Sequence, residues 1–206
     1  MLTVALALAI SAAMLIGRAQ PLPERVALLH LNDMCKLPCW IGITPGVTTY
    51  EQARAIIWHV YGERSHWVGC SVDFCIRDPK TGNNDFQIAL SVDKASNTIE
   101  QIELICQSMD DCTRMSDIYG TLGVPTSMTS EFLENTISNQ AYYINYNIVL
   151  NLHNQNGPEL APQLPINHIQ IFTDVPNFAG EFGPYKWRGF YHKYVTPDSY
   201  SAYLTP

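Results

Sequence analysis

Asp85-Phe-Gln-Ile-Ala-Leu-Ser-Val-Asp93 decides the fold, because its apolar residues fall on every second position. Phe86, Ile88, Leu90 and Val92 alternate with Asp85, Gln87, Ala89, Ser91 and Asp93. A period of two lets a strand bury one face and wet the other. Asp93-Lys-Ala-Ser-Asn97 follows as a turn and leads into a second strand at Thr98–Cys106. Upstream, Val72, Phe74 and Ile76 alternate in the same way, and Asp78-Pro-Lys-Thr-Gly-Asn-Asn84 between them is a run of turn formers. Together these strands predict a three-stranded antiparallel meander.

A helix precedes the meander. Pro45-Gly46 marks a turn and Thr48-x-x-Glu51 reads as a capping box. Ala53, Ile56, Ile57, Val60 and Tyr61 then form an i, i+3, i+4, i+7, i+8 face that Gly62 ends. The same order recurs downstream. Met115–Leu122 reads as a short helix stopped by Gly123 with Pro125 beyond, and 128–133 as a strand. Tyr142, Ile144, Tyr146, Ile148, Leu150 and Leu152 alternate with Asn145, Asn147, Asn151 and His153 as a further single strand. After a polar loop at 154–165 comes a strand at 166–173, with Ile169 and Ile171 on one face. Residues 48–106 and 113–173 therefore both read helix, strand, strand, strand. The expected fold class is α+β, made of tandem helix plus antiparallel β-meander units that are disulfide-bonded.

The ends read differently from this centre. Residues 2–17 are uncharged and almost wholly apolar, too short for the roughly 20 residues a membrane span needs. They run into Gly17-Arg18-Ala19 and a Pro21/Pro23 pair, the layout of a cleavable signal peptide. No Lys or Arg precedes the run, and an uncleaved anchor with Arg18 at the membrane surface is the alternative. The expected division is a signal peptide at 1–19, an N-terminal segment at 20–47 with the Cys35/Cys39 motif, a first α+β unit at 48–112 and a second at 113–174. An aromatic-rich tail at 175–206 follows, irregular or with one short edge strand. Removal of 1–19 takes away Arg18, so the net charge moves from −7 to −8. An acidic chain without a basic stripe argues against nucleic-acid partners.

Export would place the six cysteines, Cys35, Cys39, Cys70, Cys75, Cys106 and Cys112, in an oxidising compartment where even numbers of thiols pair. Local closure is the simplest expectation: 35 with 39, 70 with 75, 106 with 112. The 70–75 pairing meets an objection, since five residues of straight strand would hold the two Cα atoms too far apart to bridge. Either the chain turns between Ser71 and Phe74, or Cys70 or Cys75 pairs with the 106/112 group.

The string Cys35-x-Leu-Pro-Cys39-Trp40-x-Gly-Ile-x-Pro-Gly-x-Thr48 resembles a group of uncharacterised exported bacterial proteins that carry it near the mature N-terminus. A later helix ending in L-G-x-P, here Leu122-Gly-Val-Pro125, also recurs in that group. This resemblance implies export and brings no activity. In element order the chain looks more distantly like the small outer-membrane-assembly lipoproteins of the SmpA/OmlA kind. As tandem disulfide-bonded units it looks like the secreted β-lactamase inhibitory proteins. Both likenesses imply a protein-binding role by analogy.

Chemistry-bearing residues are sparse. His30, Met34, Cys35 and Cys39 form a soft-ligand cluster suited to copper or zinc, but an exported Cys35–Cys39 pair favours a disulfide. Its x₃ spacing, outside a βαβ pattern, does not suit a thioredoxin-like role. His59, His66, His153 and His168 lack metal-ligand spacing, and no P-loop or nucleophile-elbow motif occurs. Asp110-Asp111 precede the second helix and suit its dipole. Asp78–Asp85 is interrupted by Pro79 and Lys80 and reads as a hairpin turn rather than a cation loop. No cofactor, metal or catalytic set is expected. The aromatic tail supplies the candidate binding surface, Tyr185, Trp187, Phe190, Tyr191 and Tyr194, with wrapping over the sheet as the structural alternative. The expected role is a secreted or cell-envelope, non-enzymatic module that binds an extracellular or envelope protein. It touches a membrane only if the N-terminal segment stays uncleaved. The alternative is an extracellular hydrolase or a carbohydrate-binding or carbohydrate-acting protein.

Overall fold

The computed structural model describes residues 24–31, 34–66, 73–77, 84–106, 112–133, 136–154, 161–174 and 185–187, together with residue 6. Three helices are described: α1 (Glu24–Leu28), α2 (Tyr50–Tyr61) and α3 (Met115–Leu122). The strands are β1 (Ser65–His66), β2 (Phe74–Arg77), β3 (Asn84–Asp93), β4 (Thr98–Cys106), β5 (Ser127–Leu133), β6 (Thr136–Tyr143), β7 (Ile148–Asn154), β8 (Ile166–Phe172) and β9 (Tyr185–Lys186). All nine share one sheet, ordered β1-β2-β3-β4-β8-β7-β6-β5-β9, with every neighbouring pair antiparallel. The class is α+β.

The sheet has two chemically distinct faces. Ile88 and Leu90 on β3, Ile102 and Leu104 on β4, Ile169 and Ile171 on β8, and Leu150 and Leu152 on β7 point to one side. There they join Ala53, Ile57 and Tyr61 of α2 and Met115, Ile118 and Leu122 of α3 in a single core. Both longer helices therefore cover the same face. Leu29, Leu31, Leu37, Trp40, Ile41 and Ile43 enter that core too, so the 35–49 motif is built into it rather than hung from it. Trp40 is fully buried, and its indole N–H donates to the Leu29 carbonyl at 2.7 Å. Gly46 seats the Pro-Gly turn against the end of the sheet. Its φ is +80°, its N–H donates to the Ile99 carbonyl at 2.7 Å, and a Cβ there would lie 2.9 Å from the Thr173 methyl carbon. Any side chain at this position would meet both backbone strain and a clash.

Two sequence expectations shift. The α2 capping box lies one residue later than Thr48 and Glu51. Thr49 is the N-cap, its hydroxyl accepting from the Gln52 N–H while the Gln52 side-chain oxygen accepts from the Thr49 N–H at 3.0 Å. Thr48 is committed elsewhere, its hydroxyl accepting from the Thr44 N–H and its carbonyl from the Ile99 N–H. Glu51 is exposed on the first turn, 3.7 Å from Arg54. The second change is larger. The alternating run at 142–152 is two strands, β6 and β7, joined by a 3-10 turn at Ile144–Tyr146 and by Asn147 in the left-handed region at φ 53°. Asparagine tolerates that conformation better than most residues, and its amide donates to the Thr173 carbonyl at 2.6 Å. The period-two pattern ran unbroken through the turn because Ile144 is an exposed apolar residue. Among the described residues, 113–174 thus hold four strands instead of three, and 48–106 also hold four, because Ser65–His66 adds β1 at the sheet edge.

Disulfides join Cys35 to Cys39 and Cys106 to Cys112, with Cα separations of 5.7 and 5.6 Å. Cys75 is disulfide-bonded as well, and with Cys106 committed to Cys112 it does not draw on that group. Cys70 lies outside the described residues, as do Asp110-Asp111 and the 78–83 turn. The acid that caps α3 is Asp117, whose carboxylate accepts from the Arg114 N–H at 3.1 Å. No helix among the described residues is long and apolar enough to cross a membrane.

Candidate functional site

The second face of the sheet is polar where the first is apolar, because each strand alternates. Strand register brings polar residues far apart in sequence into one row. Thr129 on β5 stands opposite Gln140 on β6, Gln140 opposite Asn151 on β7, and Asn151 opposite His168 on β8. Glu103 on β4 stands opposite Gln170 on β8. Their side chains are joined head to tail. Tyr142 and Thr129 hydroxyls donate to Gln140 Oε1, and Gln140 Nε2 donates to Asn151 Oδ1 at 2.9 Å. Asn151 Nδ2 donates to Gln170 Oε1 at 2.9 Å, and Gln170 Nε2 to Glu103 Oε1 at 3.0 Å. His168 Nδ1 meets the same carboxylate oxygen at 2.6 Å. An ionised carboxylate only accepts, so Nδ1 carries the proton.

This relay spans five strands and ends on one charge. Each amide is polarised by the next, and all donors point toward Glu103, so the chain strengthens along its length. The Glu103 carboxyl is held below its ordinary range mainly by the His168 hydrogen bond, with Gln170 adding to it and burial opposing. The His168 and Glu103 side chains retain 35% and 22% of their exposure, so the end of the relay is open to a ligand. Beside it, Tyr142, Val149 and Phe172 form a small buried apolar cluster on the same face.

A pH dependence follows. With the folded value of Glu103 depressed, the unfolded chain binds more protons between that value and the ordinary 4.5. The Glu103 contribution is fully present above that window and is lost as pH falls through the folded value. Urea midpoints between roughly pH 3 and 6 should decline with acidity in the wild type. In Glu103→Gln the decline should be shallower, and an identical pH profile would disprove the coupling.

Among the described residues no side-chain hydroxyl or thiol is hydrogen-bonded to His168, so these residues do not form a nucleophile–His–Glu triad. An open cleft of about 620 Å³ at the foot of β3, β4 and β8 gathers Asp93, Glu100 and Asp174. Its Asp93 carboxylate is occupied by Ser96 and the Ala95 N–H, which lower its pKa. A general acid requires a carboxyl shifted upward. Among the described residues, no group of three or more His, Cys, Asp and Glu side chains is arranged to hold a metal ion.

Of the tail candidates, Tyr185 lies in β9, paired to Met128 of β5 at the edge of the sheet. Trp187 is partly buried against the core, its ring 6.4 Å from that of Tyr119. Phe190, Tyr191 and Tyr194 lie outside the described residues. The side chains of Tyr185 and His153 do too. Alternation in the 166–173 strand, with Ile169 and Ile171 on one face, leaves His168 on the other, but it does not single out Glu103, Gln140, Asn151 or Gln170. The available signal was polar residues at alternate strand positions, and only register joins them.

No protein-family model matches this chain, and no curated protein sequence does. Among solved structures, it is similar to the crystal structure of a DUF4309 family protein (YjgB) from Bacillus subtilis. The identity is 12%, the alignment covers 72% of this chain and 96% of that one, and the TM-score is 0.36. A likeness at that level assigns neither family nor function.

Proposed function

We propose that this protein is a secreted or cell-envelope, non-enzymatic module that binds another protein through the polar face of its sheet. The observation that carries this reading is the side-chain relay from Thr129 to Glu103, pre-ordered across five strands on the face opposite both longer helices. Rigid, already hydrogen-bonded side chains lose little entropy when a partner docks. Export is supported by the apolar residues 2–17 and by the disulfides.

In the same reading the chain is two α+β units joined edge to edge. Each begins with a helix, each ends on a central strand, and those last strands, β4 and β8, pair antiparallel over five residue pairs. This is the layout that the likeness to secreted β-lactamase inhibitory proteins implies, with the tail aromatics Tyr185, Trp187, Phe190, Tyr191 and Tyr194 as a second contact region. The test is affinity capture of cross-linked partners from envelope extract, with Asn151→Lys beside the wild type. A partner held by the wild type and lost at least tenfold in a folded Asn151→Lys supports the sheet face. No specific partner, or equal capture by both chains, rejects it.

A further inference from the structure

A second cleft, on the opposite side of the first half of the sheet, has a different chemistry. Helix α2 buries Ala53, Ile57 and Tyr61 and turns Glu51, Arg54 and Trp58 outward along one stripe, at the i, i+3, i+7 spacing. That stripe and the β1–β2 edge of the sheet enclose a cleft of about 470 Å³, within the range of small-ligand pockets. Trp58 forms a wall and is 60% exposed, while buried Ser65 and Phe74 contribute to the lining. An indole so exposed, at the mouth of a formed cleft, has an apolar face ready for a flat apolar surface.

The polar groups decide which ligand fits. Glu51 and Arg54 lie 3.7 Å apart as an ion pair, so their charges largely cancel. His66 completes the rim, with its Nε2 at 3.3 Å from an Arg77 guanidinium nitrogen. A compensated pair attracts neither free anions nor free cations strongly. It still offers carboxylate acceptors beside guanidinium donors, the groups that adjacent hydroxyls satisfy in both directions. A sugar ring is the ligand with both properties: a C–H face for the indole and neighbouring hydroxyls for the rim. Both the site and the ligand are separate from the protein-binding reading above.

We propose that this cleft binds a neutral oligosaccharide, with Trp58 as the stacking platform and Glu51, Arg54 and His66 as the hydroxyl-recognising rim. Titration of the full chain with chitotetraose, cellotetraose and maltotetraose, followed by calorimetry and by the Trp58 indole N–H resonance, tests it. At least one sugar should bind and shift that resonance. Trp58→Ala should weaken binding at least tenfold, Trp58→Phe should retain most of it, and Asn151→Lys on the far face should not change it. Trp58 is a surface residue, so an unaltered melting curve in Trp58→Ala is expected and separates lost binding from lost folding. No binding of any of the three at millimolar sugar overturns the proposal, as does undiminished affinity in Trp58→Ala.

Discussion

Trp40→Ala is expected to destabilise the protein by about 3–5 kcal/mol, the range for emptying a buried aromatic site. Trp40 has no exposed surface and packs 6.4 Å from the Tyr61 ring, which in turn meets Phe86 edge-on at 5.8 Å. The indole therefore connects the N-terminal motif to α2 and β3. Its loss also strands the buried Leu29 carbonyl that its N–H satisfies at 2.7 Å. The backbone at Trp40 is committed as well, because it exchanges two hydrogen bonds with Ile43 at 2.7 and 2.8 Å. Trp40→Phe separates the two effects. It keeps most of the volume and removes the donor, so it should cost about 1–3 kcal/mol. Urea midpoints by far-UV circular dichroism measure both. A Trp40→Ala loss below about 1 kcal/mol would mean the motif is peripheral to the core.

Ile102→Ala is expected to cost about 2–5 kcal/mol and to leave a single unfolding transition. Ile102 stands opposite Leu90 of β3 and Ile171 of β8, so it is shared by both halves of the sheet. It is fully buried. A cavity at this point weakens the pairing of β4 with β8 and the packing of both helices in one step. Far-UV circular dichroism, reporting the whole sheet, and near-UV signals from the Tyr119–Trp187 pair should therefore shift together. Separation of the two curves would show that the halves fold as independent units and that the central seam adds little.

Local patterns were legible in the sequence wherever one residue's neighbours decide its conformation. The α2 helix follows from five apolar positions and a glycine stop, and only its cap moved by one residue. Strands β3 and β4 follow from alternation and from the Asp93–Asn97 turn, where the Asp93 carboxylate accepts from the Ala95 N–H. The 35–39 and 106–112 disulfides match the local closure that short spacing suggests, but spacing left Cys106 and Cys112 open to Cys70 or Cys75, and the structure closes that alternative. The β6–β7 hairpin did not, because Ile144 sits in the turn at a position that continues the alternation. Periodicity detects faces but not a reversal of direction that preserves the count.

The sequence alone determined the class and the helix and strand chemistry, since these depend on contacts within a few residues, and it made local cysteine closure the simplest expectation, which the structure bears out for 35–39 and 106–112. Only the tertiary structure decided that β4 and β8 meet at the centre of one sheet. It alone aligned Thr129, Gln140, Asn151 and His168 across four strands, and it set Trp58 beside the β1–β2 edge. Those relations depend on strand register and on which faces the helices cover, and register is set by turns and core packing summed over the whole sheet.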